Sequence, residues 1–249
     1  MNILDEIIAN TKSKLEVRKK EYPLEKIKAE LKLSAIKKLS FKNNLINKDQ
    51  AIIAEIKKAS PSAGIISKDF DPIAKAEEYE KFGASALSVL TEEDYFLGSI
   101  QYLKDIRKKT NLPILRKDFI VDIYQIYESK VIGADCILLI ASALSDSQLN
   151  EFTALADDLE LDYLIEVHDE LELNRVDSFS NAIIGVNNRN LKTFKVDIQN
   201  SIKLRNLFIK DNIFVSESGI RNQKDIDMLL ANDIHIFLIG ESLMKGDFF

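Results

Sequence analysis

The chain carries one cysteine and two histidines in 249 residues. A single thiol excludes an intrachain disulfide, and Cys136 sits in the apolar run Ala134-Asp-Cys-Ile-Leu-Leu-Ile-Ala141, where packing accounts for it. His168 and His235 are isolated from each other and from Cys136, which argues against a zinc cluster; a carboxylate site for magnesium stays open. No apolar run is long enough to span a bilayer. The start, Met1-Asn-Ile-Leu-Asp-Glu6, places acids early and leads into no cleavage site, unlike a signal peptide. Nor is there any excess of positive charge. With 34 basic and 40 acidic residues the net charge is −6, which disfavours general nucleic-acid binding and leaves only a local basic patch open. These absences predict a reduced, cytoplasmic protein that partners neither membrane nor nucleic acid.

Hydrophobic residues make up 46% of the chain, enough for a sizeable core. Residues 2–22 and 24–33 show helical spacing of apolar positions around Pro23, and 34–50 read as polar and irregular. That N-terminal part suits a separate small domain, a partner-binding arm or a lid across one end of a barrel. From residue 51 onward, short Ile/Val/Leu runs alternate with amphipathic stretches. The predicted strands are 51–57, 85–90, 113–117, 135–140, 163–167, 182–186, 213–216 and 235–239. Helices are predicted at 72–82, 99–109, 123–131, 146–159, 197–208 and 223–230. The strand runs barely alternate, as strands buried on both faces do. Eight strands in βα order predict an α/β protein with a (β/α)₈ barrel. A doubly wound open sheet is the alternative, but it calls for a glycine fingerprint that the chain lacks.

A barrel demands that functional groups gather at the C-terminal ends of its strands. Glu55 and Lys57, two apart at the end of an oily strand, face the same side. Alone they suit either a structural ion pair or a rim of an active site. The other strand ends are polar too: Thr91-Glu-Glu93, Lys117, Glu166, Asn187-Asn-Arg189, Glu217-Ser-Gly219 and Gly240-Glu-Ser242. Arg116 is predicted to face away from Lys117. Ser218-Gly219 and Gly240-Glu241 suit backbone binding of a phosphate, or simply turns. Cys136 and His235 read as packing residues, and His168 has a weak claim to the rim.

With these residues in view, the chain resembles the indole-3-glycerol-phosphate synthase family over nearly its whole length. The resemblance rests on Ile53-Ala-Glu-Ile-Lys-Lys-Ala-Ser-Pro-Ser62, Ser88-Val-Leu-Thr-Glu-Glu-Asp-Tyr-Phe96, Pro113-Ile-Leu-Arg-Lys-Asp-Phe119, Leu164-Ile-Glu-Val-His168, Gly185-Val-Asn-Asn-Arg-Asn-Leu191, Glu217-Ser-Gly-Ile220 and Phe237-Leu-Ile-Gly-Glu-Ser-Leu-Met244. It implies one barrel domain over 1–249 in which residues 1–45 are a helical extension that helps form the pocket. It implies a small phosphorylated substrate, 1-(2-carboxyphenylamino)-1-deoxyribulose 5-phosphate, closed to an indole with loss of carbon dioxide and water. No metal or organic cofactor is implied.

Carried over residue by residue, the resemblance makes Lys117 a general acid and Glu166 a base. Lys57 becomes a second acid or a ligand of the substrate carboxylate, and Glu55 orients Lys57 or the substrate hydroxyls. Asn187 and Glu217 become partners of the sugar chain. Phe96, Phe119 and Leu138 line an apolar pocket, with Ser60 and Leu191 as further substrate contacts. Arg189 positions the loop after the first strand. Ser218, Gly219, Gly240 and Glu241 hold the phosphate, with the Glu241 side chain turned away. After Met244 only five residues remain, so the final outer helix is expected to be short or missing. The expected assembly is a monomer or weak homodimer. A phosphoribosyl isomerase barrel would share the phosphate loops but lack the N-terminal helices, and a silent ligand-binding barrel would not need Lys57, Lys117 and Glu166 together.

Overall fold

The structure is a computed structural model that describes residues 3–33, 39–46, 48–191 and 193–248. Position 2 of the first predicted helix, positions 34–38 and 47 of the predicted irregular segment, and Phe249 lie outside them. Three helices come first: α1 (Ile3–Glu21), α2 (Leu24–Leu33) and α3 (Phe41–Ile46). Then follow β1 (Ala51–Ile56), β2 (Ala59–Ser60), β3 (Gly64–Ile65), α4 (Pro72–Phe82), β4 (Ala86–Leu90), α5 (Ile100–Arg107), β5 (Ile114–Lys117) and α6 (Ile123–Val131). The chain continues through β6 (Cys136–Ile140), α7 (Asp146–Asp158), β7 (Asp162–Val167), α8 (Glu170–Val176), β8 (Ile183–Asn187) and α9 (Gln199–Leu207). It ends with β9 (Phe214–Glu217), α10 (Gln223–Leu230), β10 (Ile236–Ile239) and α11 (Glu241–Lys245).

β1 and β4 to β10 form a closed, parallel eight-stranded barrel in chain order, sealed where β1 pairs with β10. The fold is the predicted (β/α)₈ barrel with an N-terminal helical extension and a short final helix. Local signals place the helices. Asp71 caps α4 with Pro72 behind it, and Gly83 ends the helix in the left-handed region. Ser145 and Gln148 form a reciprocal capping box on α7. Two elements depart from expectation. The stretch predicted as irregular contains α3, and the loop after β1 folds into the small β2–β3 hairpin.

Strand geometry sorts the core. Outward residues such as Ala54, Ile56, Leu139 and Ile165 pack against the helices. Inward residues, among them Ile53, Leu115, Leu164 and Val215, fill the lumen. Phe41 and Leu45 of α3 belong to this inner cluster and are buried. They close the lumen at the end where the strands begin: the backbone N–H of Lys42 bonds Asp162 and Asn44 bonds the Ser85 carbonyl. The extension therefore does not lie wholly over the catalytic end. α1 reaches that end, α2 packs beside α6, and α3 plugs the other. His235, predicted to pack, is exposed at the plugged end, with Nδ1 3.0 Å from the Asp49 carbonyl.

Candidate active site

The inner face changes character within two residues on four strands. Ile53, Leu115, Leu164 and Val215 lie in the apolar lumen; Glu55, Lys117, Glu166 and Glu217 come next on the same side. A layer of ionisable groups thus sits on an apolar floor, beneath a cavity of about 440 Å³. Every residue predicted for the site lines this cavity.

At its base, Lys117 Nζ lies 2.7 Å from Glu217 Oε2 and 3.0 Å from Glu166 Oε2. All three are buried or nearly so, which is stable only because the charges are paired. Burial pulls the Lys117 ammonium toward neutrality, but the Glu166, Glu217 and Glu55 carboxylates outweigh it and hold it above the usual lysine range. The two acids diverge. Burial would raise Glu166, yet Lys117 and His168 outweigh burial and bring it down to about 2. Burial raises Glu217, Lys117 opposes it, and the neighbouring Glu166 charge helps carry it up to about 7. Partners explain the split. Glu166 also accepts from Asn187 Nδ2 at 3.2 Å, whereas Glu217 Oε1 is buried with no partner. The two carboxylates titrate as a pair, with Glu166 drawn down and Glu217 drawn up.

Glu55 Oε1 holds Lys57 Nζ at 2.5 Å on the β1 side of the cavity. Asn187 is locked by the Arg189 N–H, which donates to its Oδ1 at 3.0 Å. Phe96 and Phe119 face each other with ring centroids 6.0 Å apart. Phe96 is carried by a loop in which Glu92 accepts three successive backbone N–H bonds, from Asp94, Tyr95 and Phe96. Leu138, Leu191 and Ser60 complete the wall, joined by Ile3, Leu4 and Ile7 of α1. Outside the barrel wall, Arg116 is fully buried against Asp118 at 2.9 Å and Glu128 at 2.8 Å, so β5 turns Arg116 out and Lys117 in, as the strand period predicts.

At the β9–β10 side, Ser218 and Gly219 both have positive φ, 66° and 85°. The serine conformation costs about 1–3 kcal/mol and is held by Asn188, whose Nδ2 donates to the Ser218 carbonyl at 3.0 Å. Asn188 also bonds Ser216 and Ser201 and is buried. In the sequence its only signal is its place in the Asn-Asn-Arg run. Gly240 opens α11, and Glu241 pairs with Lys245 at 2.6 Å. The Arg189 guanidinium lies 3.6 Å from Glu241 at the start of α11 and 3.5 Å from the Phe194 carbonyl. Among the described residues, no group of three or more His, Cys, Asp or Glu is placed to hold a metal ion, and no helix is long and apolar enough to cross a membrane.

The barrel has distant likenesses among solved structures. A mutant tryptophan synthase alpha-subunit from the hyperthermophile Pyrococcus furiosus matches with a TM-score of 0.62 at 16% identity, covering 80% of this chain and 90% of that one. Such a likeness speaks to the fold alone. Sequence relatives are much nearer. The indole-3-glycerol phosphate synthase of Endomicrobium trichonymphae is 52% identical over 98% of this chain and 95% of its own length. That of Ruminiclostridium cellulolyticum is 50% identical over 98% and 94%. The family model for indole-3-glycerol phosphate synthase matches residues 4–248, and the chain belongs to that family.

Proposed function

We propose that the cavity closes the indole ring of 1-(2-carboxyphenylamino)-1-deoxyribulose 5-phosphate, with release of carbon dioxide and water. The supporting observation is the Lys117 ammonium, buried between Glu166 and Glu217 at the cavity base and held in its charged form. Ring closure places negative charge on the ribulose carbonyl oxygen as the aromatic carbon attacks. A fixed ammonium donates its proton there at the moment of need. Glu166, ionised and steadied by Asn187, serves as base for the proton removed when water leaves. Glu217 keeps Lys117 aimed and offers Oε1 to a hydroxyl of the sugar chain.

Lys57, oriented by Glu55, takes the substrate carboxylate or acts as acid in the dehydration. Phe96, Phe119 and Leu138 grip the aromatic ring, and their apolar surface favours loss of the carboxylate once the ring has closed. Backbone N–H groups around Ser218-Gly219 and Gly240-Glu241 receive the phosphate. The Glu241 side chain is engaged by Lys245 and Arg189, which relieves its repulsion of a dianion. Ser60, Leu191 and Arg189 stand at the rim as further substrate contacts. On this reading the chain works as one barrel domain, a monomer or weak homodimer in the cytoplasm. Incubation of the purified chain with the substrate should produce indole fluorescence. A purified, folded chain that binds the substrate without turning it over would make this a silent barrel.

A further inference from the structure

His168 follows Glu166 by two residues, so the end of β7 turns both to one side. The imidazole does not line the cavity; it stands behind the carboxylate. Its Nε2 is 3.4 Å from Glu166 Oε1, the oxygen that Lys117 does not use. Nδ1 lies 3.1 Å from Glu172 Oε2, and that same oxygen accepts the His168 backbone N–H at 2.8 Å. Glu172 is fixed in turn, because its N–H is capped by Asp169 at 2.9 Å. Asn200 donates to the His168 carbonyl at 3.0 Å. Ring and backbone are both clamped, yet Nε2 is buried with no hydrogen-bond partner. A buried polar atom in that position requires an explanation.

We propose that His168, backed by Glu172, is a positioning residue that fixes the Oε1 edge of Glu166 and keeps that carboxylate ionised while Oε2 faces Lys117. The proposal rests on the reading of Glu166 as the base. Each ring nitrogen faces a carboxylate oxygen, and only the doubly protonated ring presents a proton to both. The charged groups around it are Glu166 from β7, Glu172 from α8 and Glu217 from β9, with Lys117 of β5 beyond Glu166; α9 contributes the neutral Asn200. Burial disfavours the imidazolium, but Glu172, Glu166 and Glu217 outweigh burial and raise its proton affinity above that of an ordinary histidine. Glu166 gains in return a cation beside Oε1, the oxygen that also accepts from Asn187. The arrangement repeats, in a second strand, the two-residue spacing by which Lys57 is set against Glu55.

Two histidines in the chain make the test direct. NMR titration resolves two imidazole signals, and His235→Gln identifies which belongs to His168. In the parent protein His168 should titrate above the ordinary value of about 6.5. Glu172→Gln and Glu166→Gln should each lower that midpoint by about 0.5 unit or more. An unchanged midpoint in folded Glu166→Gln overturns the pairing, whatever the role of Glu166. Near-parental turnover in Glu166→Gln overturns the base assignment instead, and the two failures are read separately. In the kinetic arm, His168→Gln keeps a neutral N–H donor and loses the charge. Turnover should fall about 10-fold, with KM changed by less than about 3-fold, and the deficit should widen as pH is lowered. Folded His168→Gln with parental kcat at every pH overturns the proposal.

Discussion

Gly185 on β8 lies directly beneath the carboxylate of Glu217: a Cβ there would collide with Glu217 Oε1 and would come 2.5 Å from Leu164 Cδ2. The missing side chain is the space in which Glu217 sits to hold Lys117. Gly240 and Glu55 repeat the relationship, since a Cβ at Gly240 would lie 2.5 Å from Glu55 Oε1. Gly185→Ala should therefore lower kcat by about 10- to 100-fold by displacing an aimed ion pair. Overpacking should also cost about 1–3 kcal/mol of stability. Indole fluorescence and urea unfolding check the two effects, and a variant with parental kcat would show that Glu217 has room to spare.

Lys117→Met should reduce turnover by at least about 100-fold, with a much smaller change in the dissociation constant of a substrate analogue, because an acid acts mainly in the transition state. Turnover within a few-fold of the parent would move the acid role to Lys57. The same variant leaves Glu166 and Glu217 without their shared cation. It should lose about 3–5 kcal/mol at neutral pH and regain part of that on acidification, as the carboxylates take up protons.

Stability should fall as pH rises from about 4.5 to about 7, the interval by which Glu217 is displaced upward on folding. In this interval the folded chain holds a proton that the unfolded chain has released, so the slope is negative, at most about 1.4 kcal/mol per pH unit. Glu166 acts with the opposite sign in a separate window. Its folded value lies near 2, so its contribution is intact above about 4.5 and is lost only on further acidification. Glu217→Gln should flatten the upper slope. Urea denaturation at a series of pH values measures it, and an unaltered slope would assign the proton elsewhere.

Removal of residues 1–21 should raise KM about 10-fold or more, since α1 supplies Ile3, Leu4 and Ile7 to the cavity wall. Its tethers are ionic: Lys14 to Asp94 at 2.7 Å, Lys19 to Asp122 at 2.6 Å and Arg18 to Glu128 at 3.2 Å. Arg18→Ala should give a smaller shift of the same sign. Unchanged KM and kcat in the truncated enzyme would make α1 a bystander. The truncation stops short of α3, because loss of Phe41 and Leu45 would open the far end of the lumen and confound the result.

The eight strands were legible because strands buried on both faces leave uninterrupted Ile/Val/Leu runs. Their ends were legible because an ionisable residue two positions beyond a lumen residue has little to do but face a ligand. What failed was contextual. α3 has only six residues, two of them buried apolar ones, too few for a helical period to show, and it forms because the lumen needs a plug. The β2–β3 hairpin spans two residues a side. His235 sits in an apolar run, and only the barrel reveals that it stands just before β10 begins, where the strand end meets solvent. Gly185 reads as an ordinary strand glycine until the carboxylate above it is seen. Strand order says which rim Arg189 occupies, not that its guanidinium reaches Glu241 and the Phe194 carbonyl.

The plug also dictates an order of events as the chain folds. Leu39 and Lys42, which flank the lumen-filling Phe41, engage Asp135, Asp162 and Asn181, residues 96 to 139 positions downstream. Those partners acquire their places only when β6, β7 and β8 have joined the sheet. Closure over such separations comes late, after the nearer βα contacts have formed. A segment that precedes the whole barrel in the chain is thus among the last to find its seat, and until then Phe41 and Leu45 remain in water.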